Sequence, residues 1–354
     1  VDTAGLEAGG HICKLTILSS RAVNSPLTVW IMLNIYNEGD IIVPQDYATI
    51  QGAIDDANDG ETIVVEPGTY NENIDFGGKN ITLRSIKPEN KIIAERTIIQ
   101  GDGTGPVVKF AGTEDPNCRL AGFTVTGGNA IIGGGGGIRG LWTEAIVANC
   151  IVKNNTAGKH GGGIHSINGR IDSCIIYGNT AGMNGGGIAF SNGKIVNCLV
   201  YENQGAYGGG IVECNGDIIN CTVVNNIASE VGGGIIWCRG TITNCLVWGN
   251  NHPQVATPDK SIVTYSCIQD WVHGGVGNIT TEPLFIDYLS DDYRLSLGSP
   301  CVDAGTNEPP VGPPTPAGSS STYIELPATD IDGNTRLVVG DYDGQAIVDI
   351  GAFE

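Results

Sequence analysis

Basic residues are scarce in this chain: 18 Lys and Arg stand against 38 Asp and Glu, a net charge of −20. Nucleic-acid binding draws most of its affinity from Lys and Arg that neutralise phosphate, so this balance argues against a nucleic-acid partner. It argues equally against an anionic membrane surface. No stretch reaches the ~18 apolar residues of a membrane-spanning helix. No Cys-x-x-Cys pair occurs and the five His are scattered, which leaves none of the usual zinc spacings. The 54 glycines follow no Gly-X-Y triplet, which excludes collagen. The acidic balance suits a soluble extracellular or cell-surface protein able to bind cations.

The glycines have an order of their own. Gly-Gly-Gly-Ile recurs with its isoleucine at Ile138, Ile164, Ile188, Ile211 and Ile235. A second series, Cys150, Cys174, Cys198, Cys221 and Cys245, is spaced by 24, 24, 23 and 24 residues. Two residue types keeping one period mean that the chain returns to the same place at each repeat. The apolar stretches within a repeat are too short for paired helices, and one turn of a parallel β-helix fits them. Such a turn buries its inner face only by stacking on its neighbours.

Stacking also decides how the cysteines read. Rungs of a parallel sheet lie ~4.8 Å apart, whereas a disulfide wants converging Cβ atoms about 3.5–4.5 Å apart. The five cysteines are therefore expected as a buried ladder of free thiols, with Cys214 and Cys238 stacked likewise on another face. Ile171, Ile195, Ile218 and Ile242 form an expected core stack. Asn197, Asn220 and Asn244 form a polar one, with Ser173 and Ser266 in place of Asn. Asn179, Asn203, Asn226 and Asn250 form another, because Asn tolerates left-handed corners and its amide can bond along a stack.

The fold class expected is all-β, a single-stranded parallel β-helix with a short N-terminal capping helix. Residues 1–40 are a strand-prone extension, with a strand at Leu27–Tyr36. Residues 41–306 form the β-helix, most regular over 133–267. Within it, Thr49–Asn58 is a helix with Thr49 as N-cap and Ile50, Ala53, Ile54 and Ala57 on one face. Short strands are expected at Ile81–Leu83, Ile92–Ile93, Ile98–Ile99, Val107–Phe110 and Phe123–Val125, and rungs at Glu282–Phe285 and Tyr293–Leu297. Residues 307–322 are a Pro/Gly/Ser-rich loop and residues 323–354 a C-terminal cap.

Several motifs carry a resemblance: residues 47–54 (YATIQGAI), 65–70 (VEPGTY), 78–83 (GKNITL), the GGGI and NC repeats, GSPC with Asp303-Ala-Gly305, and residues 348–354 (VDIGAFE). As a set they resemble secreted bacterial right-handed parallel β-helix proteins of the pectin-lyase-like superfamily, in particular those with choice-of-anchor-like C-terminal segments. The repeats also resemble those of polymorphic outer-membrane adhesins. Right-handedness is implied by this resemblance. The functions it implies range from polysaccharide lyases and glycoside hydrolases to adhesins.

The position after each repeat isoleucine reads Arg139, His165, Ala189, Val212, Ile236, and is expected on the outer surface. A lyase of uronate polymers needs a cation to neutralise the carboxylate and a base to take the α-proton. Arg139, His165 and Arg170 are the candidates for that work, or simply solvated side chains. Asp172, Glu202, Glu213 and Asp217 make no hydrolase pair. Trp237, Trp248, Tyr201 and Tyr207 are candidates either to stack on sugar or to pack under a loop. Asp330, Asp332, Asp341 and Asp343 surround Gly turns and resemble short calcium loops, without the twelve-residue EF-hand spacing. Calcium is the one cofactor suggested.

These features read first as a secreted or surface structural or adhesive β-helix without catalytic activity, self-associating through residues 1–40 or binding a cell-surface polysaccharide. The alternative is a polysaccharide lyase or other carbohydrate-active enzyme acting on acidic polysaccharide.

Overall fold

The computed structural model describes residues 9–17, 27–251, 253–257, 261–307, 328–335 and 347–353. The chain winds as an all-β, single-stranded, right-handed parallel solenoid. Its first sheet has ten strands, from Ile41–Val43 to Val263–Thr264, and its second has nine, from Gly68–Asn71 to Cys267–Ile268. A third sheet of eight strands runs from Ile74–Asp75 to Val255–Ala256, and a narrow fourth of five runs from Asn129–Ala130 to Ile227–Val231. Neighbours in each sheet come from successive turns, so no turn closes a core alone.

The register follows the repeat. Ile138, Ile164, Ile188, Ile211 and Ile235 are paired in the third sheet. Ile171, Ile195, Ile218 and Ile242 are paired in the first. All nine are buried in the central cluster. Cys150, Cys174, Cys198, Cys221 and Cys245 lie wholly inside, and no disulfide joins any described cysteine. Each of these five thiols donates to the carbonyl two residues back, at 3.2–3.3 Å. Cys214 stacks on Cys238, its backbone N–H reaching the Cys238 sulfur at 3.4 Å.

Between the first and second sheets the chain turns through left-handed residues: Asn149, Ser173, Asn197, Asn220 and Asn244 have φ of 51–56°. Asn adopts this geometry at small cost, which explains its place there. Ser266 does not continue the column as expected. The last turn is shortened, so Leu246 pairs with Cys267; Ser266 then falls in the cysteine column, where its Oγ accepts from Cys245 N at 3.1 Å.

The helix Ile50–Asp56 forms as the pattern predicts, with Thr49 Oγ1 accepting from Gly52 N at 3.1 Å and Ile50, Ala53 and Ile54 buried. The strand expected at Ile92–Ile93 is instead a helix, Lys91–Arg96. Asn90 caps it by accepting from Ile93 N at 3.2 Å, and Ile93 is buried while Ile92 is 51% exposed, the one-sided burial of a helix. The two late rungs are also replaced. Phe285–Asp287 and Asp292–Leu295 pair antiparallel, because the 3₁₀ turn Tyr288–Ser290 and left-handed Asp291 (φ 59°) reverse the chain.

Leu27–Ile35 is a strand, and its partner is Gly9–Ile17 of the same chain, antiparallel over the full length of both. Asn34 Nδ2 donates to Glu66 Oε1 at 3.1 Å, fastening the end of this hairpin to the first turns. On the outer face of the second sheet, Ile151, Ile175, Leu199 and Leu246 form a second apolar cluster with Tyr293, Ile350, Ala352 and Phe353. The chain's last described residues thus dock on a flank, with Ala352 N donating to Thr222 Oγ1 at 3.0 Å. No helix among the described residues is long and apolar enough to cross a membrane.

Candidate functional site

The outward column of the third sheet reads Asp75, Lys109, Arg139, His165, Ala189, Val212, Ile236, each paired with the next. Charge is concentrated at its beginning. Lys109 is answered by Asp75 at 2.6 Å. Arg139 and His165 are direct register partners, so the fold brings two of the three expected residues together. Arg170 is elsewhere, at the corner before the first sheet, and its Nε makes a 2.9 Å charge contact with Asp172.

The rest of the column is not the exposed stripe expected from its position. Ala189, Val212 and Ile236 are fully buried. The glycine triplets cause this, because their backbone folds over the outward side chains. A Cβ on Gly185, in the left-handed region at φ 63°, would lie 2.7 Å from Val212 Cγ1. The triplet therefore does more than turn the chain; it lets the turn close onto the strand.

This closing brings an unexpected residue to the site. His160 stands in a column with Gly134, Asn184 and Tyr207, each four residues before a repeat isoleucine. Its ring lies 6.0 Å from that of His165, nearly parallel at 14°. Phe190 meets both rings edge-on, at 4.9 and 5.7 Å. The constant offset from the repeat was a readable signal for His160; its nearness to His165 was not, since it depends on how the loop folds back.

The electrostatics are unusual for so acidic a chain. Burial, followed by the charges of His160 and Arg139, lowers the pKa of His165 to about 4. Burial and Lys159 lower that of His160. Ser166 Oγ lies 2.9 Å from His165 Nδ1. Nε of Arg139 and Nδ1 of His160 are buried without a hydrogen-bond partner among the described residues. An unpaired buried polar atom costs about 1–3 kcal/mol, and two such atoms lie on this flank. Chemically, the arrangement offers a cation for an anionic group beside imidazoles held neutral and able to accept a proton.

The other sequence candidates fall apart from this flank. Asp330 Oδ1 accepts from the N–H groups of Asp332 and Asn334, at 3.0 and 2.7 Å, and its Oδ2 accepts from Asn334 Nδ2 at 2.9 Å. These bonds make Asp330 the closing residue of its own turn. Asp341 and Asp343 lie outside the described residues. No group of three or more His, Cys, Asp or Glu among the described residues is arranged to hold a metal. Trp237 packs on Tyr207 at 5.7 Å, while Tyr201 lies edge-on to Tyr293 at 5.4 Å, under the late hairpin.

No family model and no curated protein sequence matches the chain. Among solved structures, a pectate lyase aligns with 86% of this chain and 90% of its own, at 14% identity and a TM-score of 0.45. A pectin methylesterase from Aspergillus niger aligns with 75% of this chain and 92% of its own, at 15% identity and a TM-score of 0.41. Likeness at this level conveys the β-solenoid architecture and not a substrate. Both of these are enzymes; the expectation of a module without catalytic activity is withdrawn here and is not carried further.

Proposed function

We propose that the third-sheet flank binds a carboxylated sugar of an acidic polysaccharide and cleaves the chain by β-elimination. The observation that carries this reading is the Arg139 guanidinium, in none of the ion pairs among the described residues, paired in register with His165, on whose ring that of His160 stacks. An Arg planar fork matches a carboxylate, and pairing there removes the negative charge that opposes loss of the neighbouring proton. An imidazole of His160 or His165 takes that proton, the released electron pair forms the ring double bond, and the glycosidic oxygen departs with a proton from water. Lys109 is already engaged by Asp75, and Arg170 by Asp172, so neither is assigned a step. An extracellular setting, where such polymers occur, accords with this chemistry.

The test is incubation with acidic polysaccharides while the ultraviolet absorbance of unsaturated product ends is followed. The wild-type protein is expected to produce them, and Arg139→Met to lose about 100-fold or more in rate, as when a charge-stabilising donor is removed. Polysaccharide bound without cleavage overturns the elimination step; neither binding nor cleavage overturns the reading. Self-association through residues 1–40 is a separate proposal. Light scattering on a chain lacking those residues, with and without calcium, checks it, and an unchanged mass rejects it.

A further inference from the structure

The interior cysteine ladder ends at Cys245, because Ser266 takes the next position of its column. Cys267, one residue on, faces the other side of its strand and enters the outer cluster of the second sheet. Cys301 belongs to the same cluster, and both residues are completely buried. Cys301 comes from the non-repeating segment after the late hairpin, so no rung spacing holds the two apart.

One short segment brings them together. Ile279 bridges to Cys267 in parallel register, and Cys267 Sγ donates to Thr281 O at 3.3 Å. Two residues on, Pro283 O accepts from Ser299 Oγ at 2.5 Å, and Ser299 Oγ accepts in turn from Cys301 N at 3.1 Å. The Cys301 thiol thereby reaches hydrogen-bond contact with that of Cys267. The ladder thiols are held differently. Each turns to the carbonyl two residues back, and register keeps successive rungs ~4.8 Å apart with their side chains parallel. A disulfide needs Cβ atoms that converge. Among the described cysteines, Cys267 and Cys301 are the contacting pair that joins a rung to a segment outside the repeat.

That segment closes the outer cluster together with residues 347–353. Ile350 N donates to Cys301 O at 3.0 Å, and Gly305 N to Val348 O at 2.9 Å. Neither stretch is a strand of the stacked sheets, and a segment outside those ladders opens more readily than they do.

We infer that Cys267 and Cys301 are a cross-linking site: in an oxidising setting they join as a disulfide that ties the C-terminal segment to the last rung of the second sheet. The oxidant is a small-molecule disulfide. One cysteine attacks it as the thiolate and expels one small thiolate. The other cysteine, its proton also lost to solvent, attacks the mixed disulfide and expels the second. Two protein thiols are thus oxidised by two electrons, and the small disulfide is reduced to two thiols. Contact with the Cys301 thiol, followed by burial, raises the pKa of Cys267, so the thiolate scarcely forms once the segment has docked. The bond therefore forms during folding, before residues 299–307 close over Cys267. The pair lies on the second sheet, away from Arg139 and His165, and is independent of the elimination reading.

The experiment is refolding of the reduced, unfolded full-length chain in a mixture of oxidised and reduced glutathione, then unfolding in iodoacetamide and peptide mass spectrometry. A peptide pair linked through Cys267 and Cys301 is expected, with Cys150, Cys174, Cys198, Cys221 and Cys245 alkylated. The thermal midpoint of the oxidised protein should exceed that of the reduced protein by about 3 °C or more. Cys301→Ala should abolish this gap and Cys214→Ala should leave it. Because the gap compares two redox states of one chain, a general loss of stability in a variant does not imitate its disappearance. Cys267 and Cys301 both alkylated, or either joined to a different cysteine, overturns the cross-link. Equal midpoints for the linked and the reduced protein overturn its role in holding the segment.

Discussion

The side-chain amide of Asn203 donates to Oδ1 of Asn226 on the next turn at 3.0 Å, deep inside the prism. The same geometry repeats from Asn155 to Asn179, Asn203, Asn226 and Asn250, and Gln254 ends the series by accepting from Asn250 at 2.9 Å. Each interior Oδ1 also accepts a backbone N–H from the preceding turn, as Asn226 does from Asn203 N at 3.0 Å. The ladder satisfies corner backbone that a solenoid would otherwise bury unpaired.

Asn203→Ala is expected to lower the free energy of unfolding by about 3 kcal/mol, because it strands several buried partners at once. Asn192, half-buried and bonded to Asn168 at 3.1 Å, is the control; its replacement by Ala should cost about 1 kcal/mol or less. Urea denaturation of both variants measures the difference, and equal losses would show that the interior ladder has no special weight.

Gly185 separates backbone strain from close approach. Gly39 and Gly185 both have positive φ, but a Cβ on Gly39 meets nothing within 4 Å, whereas one on Gly185 would lie 2.6 Å from Ile188 O. Gly39→Ala should cost about 1 kcal/mol of strain, and Gly185→Ala about 2 kcal/mol more as the turn is forced off the strand. Thermal unfolding of the two variants reads the gap.

The cysteine ladder predicts chemical silence. Burial pushes the thiols of Cys150, Cys174, Cys198 and Cys221 well above their ordinary range, so the reactive thiolate scarcely forms. Alkylation of the native protein should leave them unmodified. After unfolding without reductant, mass spectrometry should show Cys150, Cys174, Cys198, Cys221 and Cys245 all alkylated; protection of most of them would reveal disulfides and refute the ladder.

His165 predicts a sign for acid sensitivity. Its folded pKa is lowered from 6.5 to about 4, so between those values the unfolded chain binds the proton more readily. Stability from this group is present above pH 6.5 and falls as the pH drops towards 4. In His165→Asn the slope of stability against pH in that window should be shallower. An unchanged slope would mean that the imbalance lies in other groups.

Much of the prism was legible in the residues because a repeat repeats its environment. The Ile and Cys columns keep their spacing, and stacking converts equal spacing into register. The same logic failed where one turn differs in length: Ser266 slipped by one position because the last turn is shorter than those before it. It failed again at Ile92–Ile93, where two adjacent isoleucines suit a strand and a short capped helix equally. The pairing of Arg139 with His165 could be read from the period. The approach of His160 could not, nor the burial of Val212, since both come from a glycine turn folding back over the sheet.

Composition and period alone were enough for the parallel solenoid, the thiol and amide columns and the argument against nucleic-acid partners, because each rests on a local preference multiplied by repetition. Folding in three dimensions settled matters that join residues distant in the chain. It placed the hairpin of residues 285–295 and the segment 347–353 on the second sheet, and brought Cys301 to Cys267. It also left Arg139 Nε without a hydrogen-bond partner among the described residues while giving Asp172 to Arg170. A period specifies which side chains share a column, but contacts between a column and a non-repeating segment depend on packing that no repeat encodes.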